Sequence, residues 1–374
     1  MRHFLLLLIL TLLPAGLWAS PDDEDFVRAY FVVIDEGDVM YSSVGHACIH
    51  LECPEHDLDY FFSYESEDVK EKVLAFLSGN LKMGMMAIGR EDFLKEYREE
   101  GRGVQEYELH LPIEAKKRMW EILDNRVMEG MNLPYDFLKR GCTHACLDVL
   151  ISSLDTLDVN WGECPERLEN KTLREIVRDN TQGQDWIQFQ LCTLAGTDTD
   201  IKCGMLDKII IPKDMAALCQ QARLQGHALA DATPHVLLKG NKEKKSTPVT
   251  PLALSIAVLL AAIVSFLYKP LRLLAWIPVT LSFILGLFIS YLVCFSTLPA
   301  TSWNWLIIPF FPLCLPLWKW RKYWALPFAA ITVAWCAGVM KYPHLLVLPA
   351  HIVLALSTAI GWLVLAGFRL KRTK

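Results

Sequence analysis

Val44-Gly45-His46-Ala47-Cys48-Ile49-His50-Leu51 is a short, β-branched and apolar run opened by a glycine, and it reads as a β-strand. Period-two alternation puts His50 on the same strand face as His46. Working outward, residues 26–34 and Asp59 to Tyr64 read as neighbouring strands, and Val104 to Leu111 alternates as another. Helical spacing is expected over Val69 to Leu77, Glu91 to Glu99 (ended by Gly101), Ile113 to Val127 and Cys142 to Leu154. The last of these begins inside Arg140-Gly141-Cys142-Thr143-His144-Ala145-Cys146-Leu147-Asp148 and sets Ala145, Leu147, Val149, Leu150 and Leu154 on its apolar face. This pattern predicts an α+β domain with an antiparallel sheet. Thr172 to Val177, Trp186 to Leu194, Pro212 to Ala222 and a strand-like Ala228 to Leu238 continue it.

Composition divides the 374 residues sharply. Residues 1–19 are apolar after Arg2 and His3 and read as a signal peptide, with cleavage after Ala19. Residues 20–240 form the expected periplasmic domain, and 241–248 a lysine-rich linker. Residues 249–368 are almost wholly apolar and read as five membrane helices at approximately 249–268, 273–296, 304–318, 324–340 and 344–367. The third is short and holds Pro309, Pro312 and Pro316, as a broken or re-entrant segment would. Lys269, Arg272, Lys319, Arg321, Lys322 and the tail 369–374 then fall on the cytoplasmic side, with only Lys341 outside, as the positive-inside rule asks. The net charge of −5 averages two unlike parts, and no basic surface suggests nucleic acid.

Two residues carry the chemistry. A thiol at the start of a helix meets unpaired amide N–H groups and the positive end of the dipole, which favour the thiolate, and a nearby imidazole can take and return its proton. Cys142 and His46 are the pair so placed, with the Cys142 backbone N–H available to an oxyanion. Asp59, His50 and Asp57 are the candidates to orient His46, with Asp59 preferred. Of the 11 cysteines, eight lie before the apolar region, and Cys192–Cys203 is one candidate disulfide. The spacing of Cys142, His144 and Cys146 does not suit a zinc finger, so no metal and no cofactor is expected. His351 is the one clearly intramembrane ionisable residue, and the spans hold no paired carboxylates of the kind an ion relay needs.

Tyr41-Ser42-Ser43-Val44-Gly45-His46 resembles the Tyr-Ser-x-x-Gly-His motif of the Lnb periplasmic-domain family of lipoprotein N-acyltransferases. Phe93-Leu94-x-x-Tyr97 through Gly101-Arg102-x-Val104, then Tyr135-Asp136-Phe137 leading to Cys142 and Asp148, resemble further elements of that family in the same order. Thr172-Leu173-Arg174-Glu175, Trp186, Gly196 and Pro212-x-Asp214-Met215 are similar to its later landmarks, and the apolar segments to its five-helix membrane part. Two positions depart: Gly141 stands where an Asn usually precedes the cysteine, and Leu147 where an Arg precedes Asp148. Cys142-Thr143-His144 is also similar to the Asn-Cys-Glu-His element of lecithin:retinol acyltransferases, which are circularly permuted papain-like enzymes.

The resemblance implies a permuted papain-like domain on the inner membrane, with the C-terminus in the cytoplasm. It implies transfer of an acyl chain from a membrane phospholipid, through a Cys142 thioester, to the α-amine of a diacylglyceryl-cysteine lipoprotein. His46 would be acid and base; Ser42, Arg102 and Gly141 would support, with Arg102 suited to a phosphate. Two other readings fit the residues taken alone: a membrane-tethered papain-like cysteine hydrolase (a peptidase or peptidoglycan amidase), and a membrane scaffold without catalysis.

Overall fold

The computed structural model describes residues 27–368 apart from 137, 139, 156, 242–246, 313–315 and 343–346. The signal-peptide expectation, most of the linker and the tail lie outside the described residues. In chain order the elements of the first part are β1 (Arg28–Ile34), β2 (His46–Cys53), β3 (Leu58–Ser66), α1 (Val73–Ser78), β4 (Lys82–Gly89) and α2 (Arg90–Glu100). Then come β5 (Val104–Glu108), α3 (Ile113–Glu129), β6 (Leu133–Pro134), α4 (Cys142–Ser153), β7 (Val159–Asn160), α5 (Leu173–Asn180), α6 (Asp185–Leu194) and α7 (Pro212–Gln221). Short strands β8 (Arg223–Leu224), β9 (His227–Ala228) and β10 (His235–Leu238) close the domain.

Seven strands make one sheet in the order β10-β5-β1-β2-β3-β4-β6, and every registered pair is antiparallel. β2 lies at its centre, and alternation sorts its side chains. Ala47, Ile49 and Leu51 face the larger core, where Met119 and Leu123 of α3, Val149 and Leu150 of α4 and Leu218 of α7 cover the sheet. Cys48, with Val32, Ile34, Phe61 and Val104, faces the other layer, covered by Phe93 and Tyr97 of α2.

Three elements differ from expectation. The first helix starts at Val73 rather than Val69. The Met- and Gly-rich run Lys82–Gly89 is a strand, because it pairs along its length with β3; register supplies what its composition lacks. Ala228 to Leu238 is two short strands rather than one.

The C-terminal part is helical: α8 (Pro251–Leu267), α9 (Trp276–Phe295, entered through 3₁₀ turns from Lys269), α10 (Arg321–Lys341) and α11 (Pro349–Ala366). Three stretches are long and apolar enough to cross a membrane, Lys269–Phe295, Trp318–Lys341 and Pro349–Ala366, and Pro251–Leu267 is a shorter apolar helix. Among the described residues this part holds four α-helices, where five were expected. The segment 304–318 forms one-turn 3₁₀ pieces at Trp305–Ile307 and Trp318–Trp320. Its prolines remove amide donors and clash with the preceding turn, and no α-helix forms among the described residues of this segment. The segment instead lies against α9, so close that a Cβ on Gly286 would fall 1.8 Å from the Phe310 carbonyl oxygen.

Candidate active site

β2 begins at His46, and the residue before it sets the entry. Gly45 has φ +91°, and a Cβ there would sit 2.7 Å from the Ile34 carbonyl oxygen, so only glycine makes this turn cheaply. The carbonyl of Ser42 accepts from the Gly45 and Gly37 amides, at 3.0 and 2.8 Å. Ser42 thus shapes the approach to His46 and also lines the cleft. The thiol arrives from the other direction: Cys142 is the first residue of α4, with Gly141 as its N-cap. Gly141 has φ −83° and ψ 178°, ordinary extended backbone, so the turn does not depend on a glycine at this position.

The Cys142 thiol and the His46 ring are hydrogen-bonded, and the Ala47 amide also donates to the sulfur. Burial alone would push the thiol up. The His46 charge and hydrogen bond, with the Ala47 amide, outweigh it and hold the thiol below the ordinary cysteine range. Burial likewise pushes His46 down, but the facing thiolate, its hydrogen bond and the Glu65 charge raise it to about 9. Each group is shifted in the direction that favours its charged form beside the other.

The second ring nitrogen fixes the tautomer. His46 Nε2 lies 2.7 Å from Ser63 Oγ, and that hydroxyl donates to Glu65 Oε1 at 2.6 Å. Since the serine proton is committed to Glu65, Ser63 accepts from the Nε2–H, leaving Nδ1 for the thiol. A chain Cys142–His46–Ser63–Glu65 results. Ser63 is fully buried, while Glu65 at the end of the chain is 38 % exposed.

None of the three expected orienting residues does this work: Asp57 lies in the exposed turn between β2 and β3, at the far end of β2 from His46. Asp59 Oδ1 is 2.9 Å from His50 Nε2, and Asp59 Oδ2 accepts from Arg90 at 3.1 Å. His50 Nδ1 lies 2.8 Å from Glu106 Oε2, and its ring stacks between Tyr30 and Phe61. Asp59 and His50 therefore satisfy each other. The reason is register. Asp59 opposes Glu52 and Ser63 opposes Cys48, so the carboxylate that reaches the His46 end of β2 is Glu65. Ser63 and Glu65 carried no local signal; only the β2–β3 register could have found them.

Arg102 is buried at 5 % exposure. Its Nε donates to the Asp35 carbonyl at 2.7 Å and one terminal nitrogen to Glu100 at 2.8 Å, while the guanidinium stands over Tyr97. The remaining Nη2 is buried with no hydrogen-bond partner. The side chain lines the same cleft of about 310 Å³ as Cys142, His46 and Glu65. The hydroxyl of Thr143, beside the nucleophile, is buried with no nitrogen or oxygen partner and hydrogen-bonds the Cys142 sulfur, which also favours the thiolate.

His351 of α11 meets the first part of the chain. Its Nε2 is 2.9 Å from Thr193 Oγ1 and its ring stacks on Phe189 at 4.3 Å, both on α6. Asn304 Nδ2 donates to the Thr193 carbonyl at 2.7 Å. The intramembrane-type histidine is thus a contact between the two parts of the chain. Cys192 is a buried free thiol, so the expected Cys192–Cys203 disulfide is not formed. Among the described residues, no group of three or more His, Cys, Asp or Glu side chains is placed to hold a metal.

Residues 18–176 match the family described as Lnb N-terminal periplasmic domain. No curated protein and no solved structure matches the chain. The matched residues include the strand bearing His46 and the helix start bearing Cys142, and the apolar helices follow them.

Proposed function

We propose, for a membrane protein carrying an Lnb-type periplasmic domain, that the cleft is the active site of a lipoprotein N-acyltransferase. The observation that carries this reading is the Cys142 thiol facing the His46 ring in a cleft whose domain is packed onto membrane helices. The order histidine on a strand, then cysteine at a helix start, fits the permuted papain-like arrangement. In our reading the membrane is the bacterial inner membrane, with the C-terminus in the cytoplasm.

In the first half-reaction the Cys142 thiolate attacks the ester carbonyl of a membrane phospholipid, and the Cys142 amide N–H stabilises the oxyanion. Collapse breaks the ester C–O bond. His46 gives its proton to the departing lysophospholipid oxygen, leaving an S-acyl enzyme and a neutral imidazole. In the second half-reaction the uncharged α-amine of a diacylglyceryl-cysteine attacks the thioester. His46 takes a proton from that nitrogen, the C–S bond breaks, and the products are an amide and the original ion pair. Ser63 and Glu65 hold the ring and favour its charged form. The unpartnered Nη2 of Arg102 would hold the donor phosphate, completing a buried donor set that the protein itself leaves open.

The test is Cys142→Ala and Cys142→Ser in a strain lacking other N-acyltransferases, with the N-terminal lipopeptides of its lipoproteins weighed by mass spectrometry. Diacylated peptides are expected in both. Triacylated peptides persisting in the alanine strain would sink this reading and leave the hydrolase or scaffold in its place.

A further inference from the structure

We propose that the acyl chain on Cys142 lies in an apolar passage that leaves the cleft beside Tyr135 and Leu138 and ends at Arg174. This rests on the acyltransferase reading and adds where the chain goes and which residues measure its length.

The catalytic cleft adjoins a second, narrow cavity of about 40 Å³; Tyr41, Val44, Tyr135, Leu138 and Ile210 wall both. Beyond those residues the second cavity is walled by Phe76, Leu191, Leu194 and Ile211, all buried. Its serine is already committed, since Ser43 Oγ donates to the Met40 carbonyl at 2.7 Å. A slim apolar occupant suits such walls, because a polar one would lose water and gain few partners. A third small space continues behind Leu138, Val177 and Leu191 and meets Arg174. There the guanidinium is saturated: it bonds both Asp200 oxygens at 2.7 and 2.9 Å and the carbonyls of Ala195 and Gly196 at 3.0 and 2.8 Å. Displacing a buried, fully paired ion pair is costly, so Arg174 is the end of the passage.

The lining helix also explains how a chain gets there. Leu191 and Leu194 of α6 wall the passage, while Phe189 and Thr193 of the same helix pack on His351 of the membrane part. The passage therefore runs along the seam between the cleft and the apolar helices, the side from which a lipid chain would enter. A single hydrocarbon chain thioester-linked at Cys142 is the occupant that satisfies continuity with the nucleophile, apolar walls and narrow bore together.

The test narrows and widens the passage in the full-length protein and reads the length distribution of the amide-linked chain on lipoprotein N-termini by mass spectrometry. Leu194→Trp is expected to shift the distribution toward shorter chains, and Leu191→Ala toward longer ones. Val177→Phe narrows the same passage from α5 and replaces Leu194→Trp if that variant does not accumulate in the membrane. Triacylation with the wild-type length profile in both a narrowed and a widened variant would overturn the passage while leaving the acyltransferase reading intact. So would loss of transfer in both at normal abundance. Failure of the parent reading is seen separately, as triacylation that survives Cys142→Ala.

Discussion

β2 carries two histidines on one face, and they solve opposite problems with nearly the same geometry. His50 opposes Phe61 and bonds Asp59, the residue two places back along β3. Continuing that register, His46 opposes Glu65 and bonds Ser63, again two places back. His50 is closed in: both ring nitrogens meet carboxylates and both ring faces meet aromatic rings. Burial pushes it down, but Asp59 and Glu106 hold it above the usual histidine range, as a paired cation inside the sheet. His46 bonds Ser63, stands 3.7 Å from the Glu65 carboxylate that the serine also bonds, and leaves its other nitrogen facing a thiol in a cleft. One end of the strand closes its ring in on all sides; the other leaves one nitrogen facing a thiol in the cleft.

The comparison breaks first at activity. His46→Ala is expected to cut acyl transfer by about 10²–10⁴-fold, the range for loss of a positioned acid–base group, with the fold retained by circular dichroism. His50→Ala should act on stability instead. It strands the buried Glu106 carboxylate, a change that costs about 3–5 kcal/mol, read as a lowered denaturant midpoint. If His50→Ala leaves stability unchanged and abolishes transfer, the assignment of the two roles is wrong.

The pH dependence follows with its sign. His46 is raised from 6.5 to about 9, so its favourable interactions are complete below 6.5 and are lost as pH rises through about 9. Transfer by the ion pair should therefore fall on the alkaline side near pH 9 in a purified assay. Glu65→Gln removes a charge that raises His46, and the alkaline limb should move to lower pH, with a rate loss of about tenfold. An unmoved limb would place Glu65 outside the proton path. Ser63→Ala removes the intermediary and should shift the limb in the same direction.

The smallest expected effect is at the shared carboxylate of the closed end. Arg90 is more than one-third exposed, and its bond to Asp59 is solvent-screened. Arg90→Ala should change stability by less than about 1 kcal/mol and leave transfer unchanged. A loss of transfer beyond a few-fold would show that the two ends of β2 are coupled.

Local pattern made much of this legible. Alternation and helical spacing located β1, β2, β3, α2, α3 and α4, because each buries one face and its residue types repeat with the period of its backbone. The apolar composition after residue 248 marked the membrane part, since apolar length needs no partner to be recognised. Cys142 stood out because a helix start is written locally, in the residues that cap it.

Register and long-range packing were not written in any window. Asp59 was the expected partner of His46, yet pairing of β2 with β3 gave it to His50 and left Ser63 and Glu65 for His46. A strand with a Met- and Gly-rich sequence formed because its neighbours required one. Arg102 became a buried guanidinium with one open nitrogen only when the Asp35 carbonyl and Glu100 took the others. The sequence by itself determined which residues could react and that they stand before a set of apolar helices. The tertiary structure decided which of those residues meet, because a one-residue choice of register exchanges every side-chain neighbour and no local preference records it.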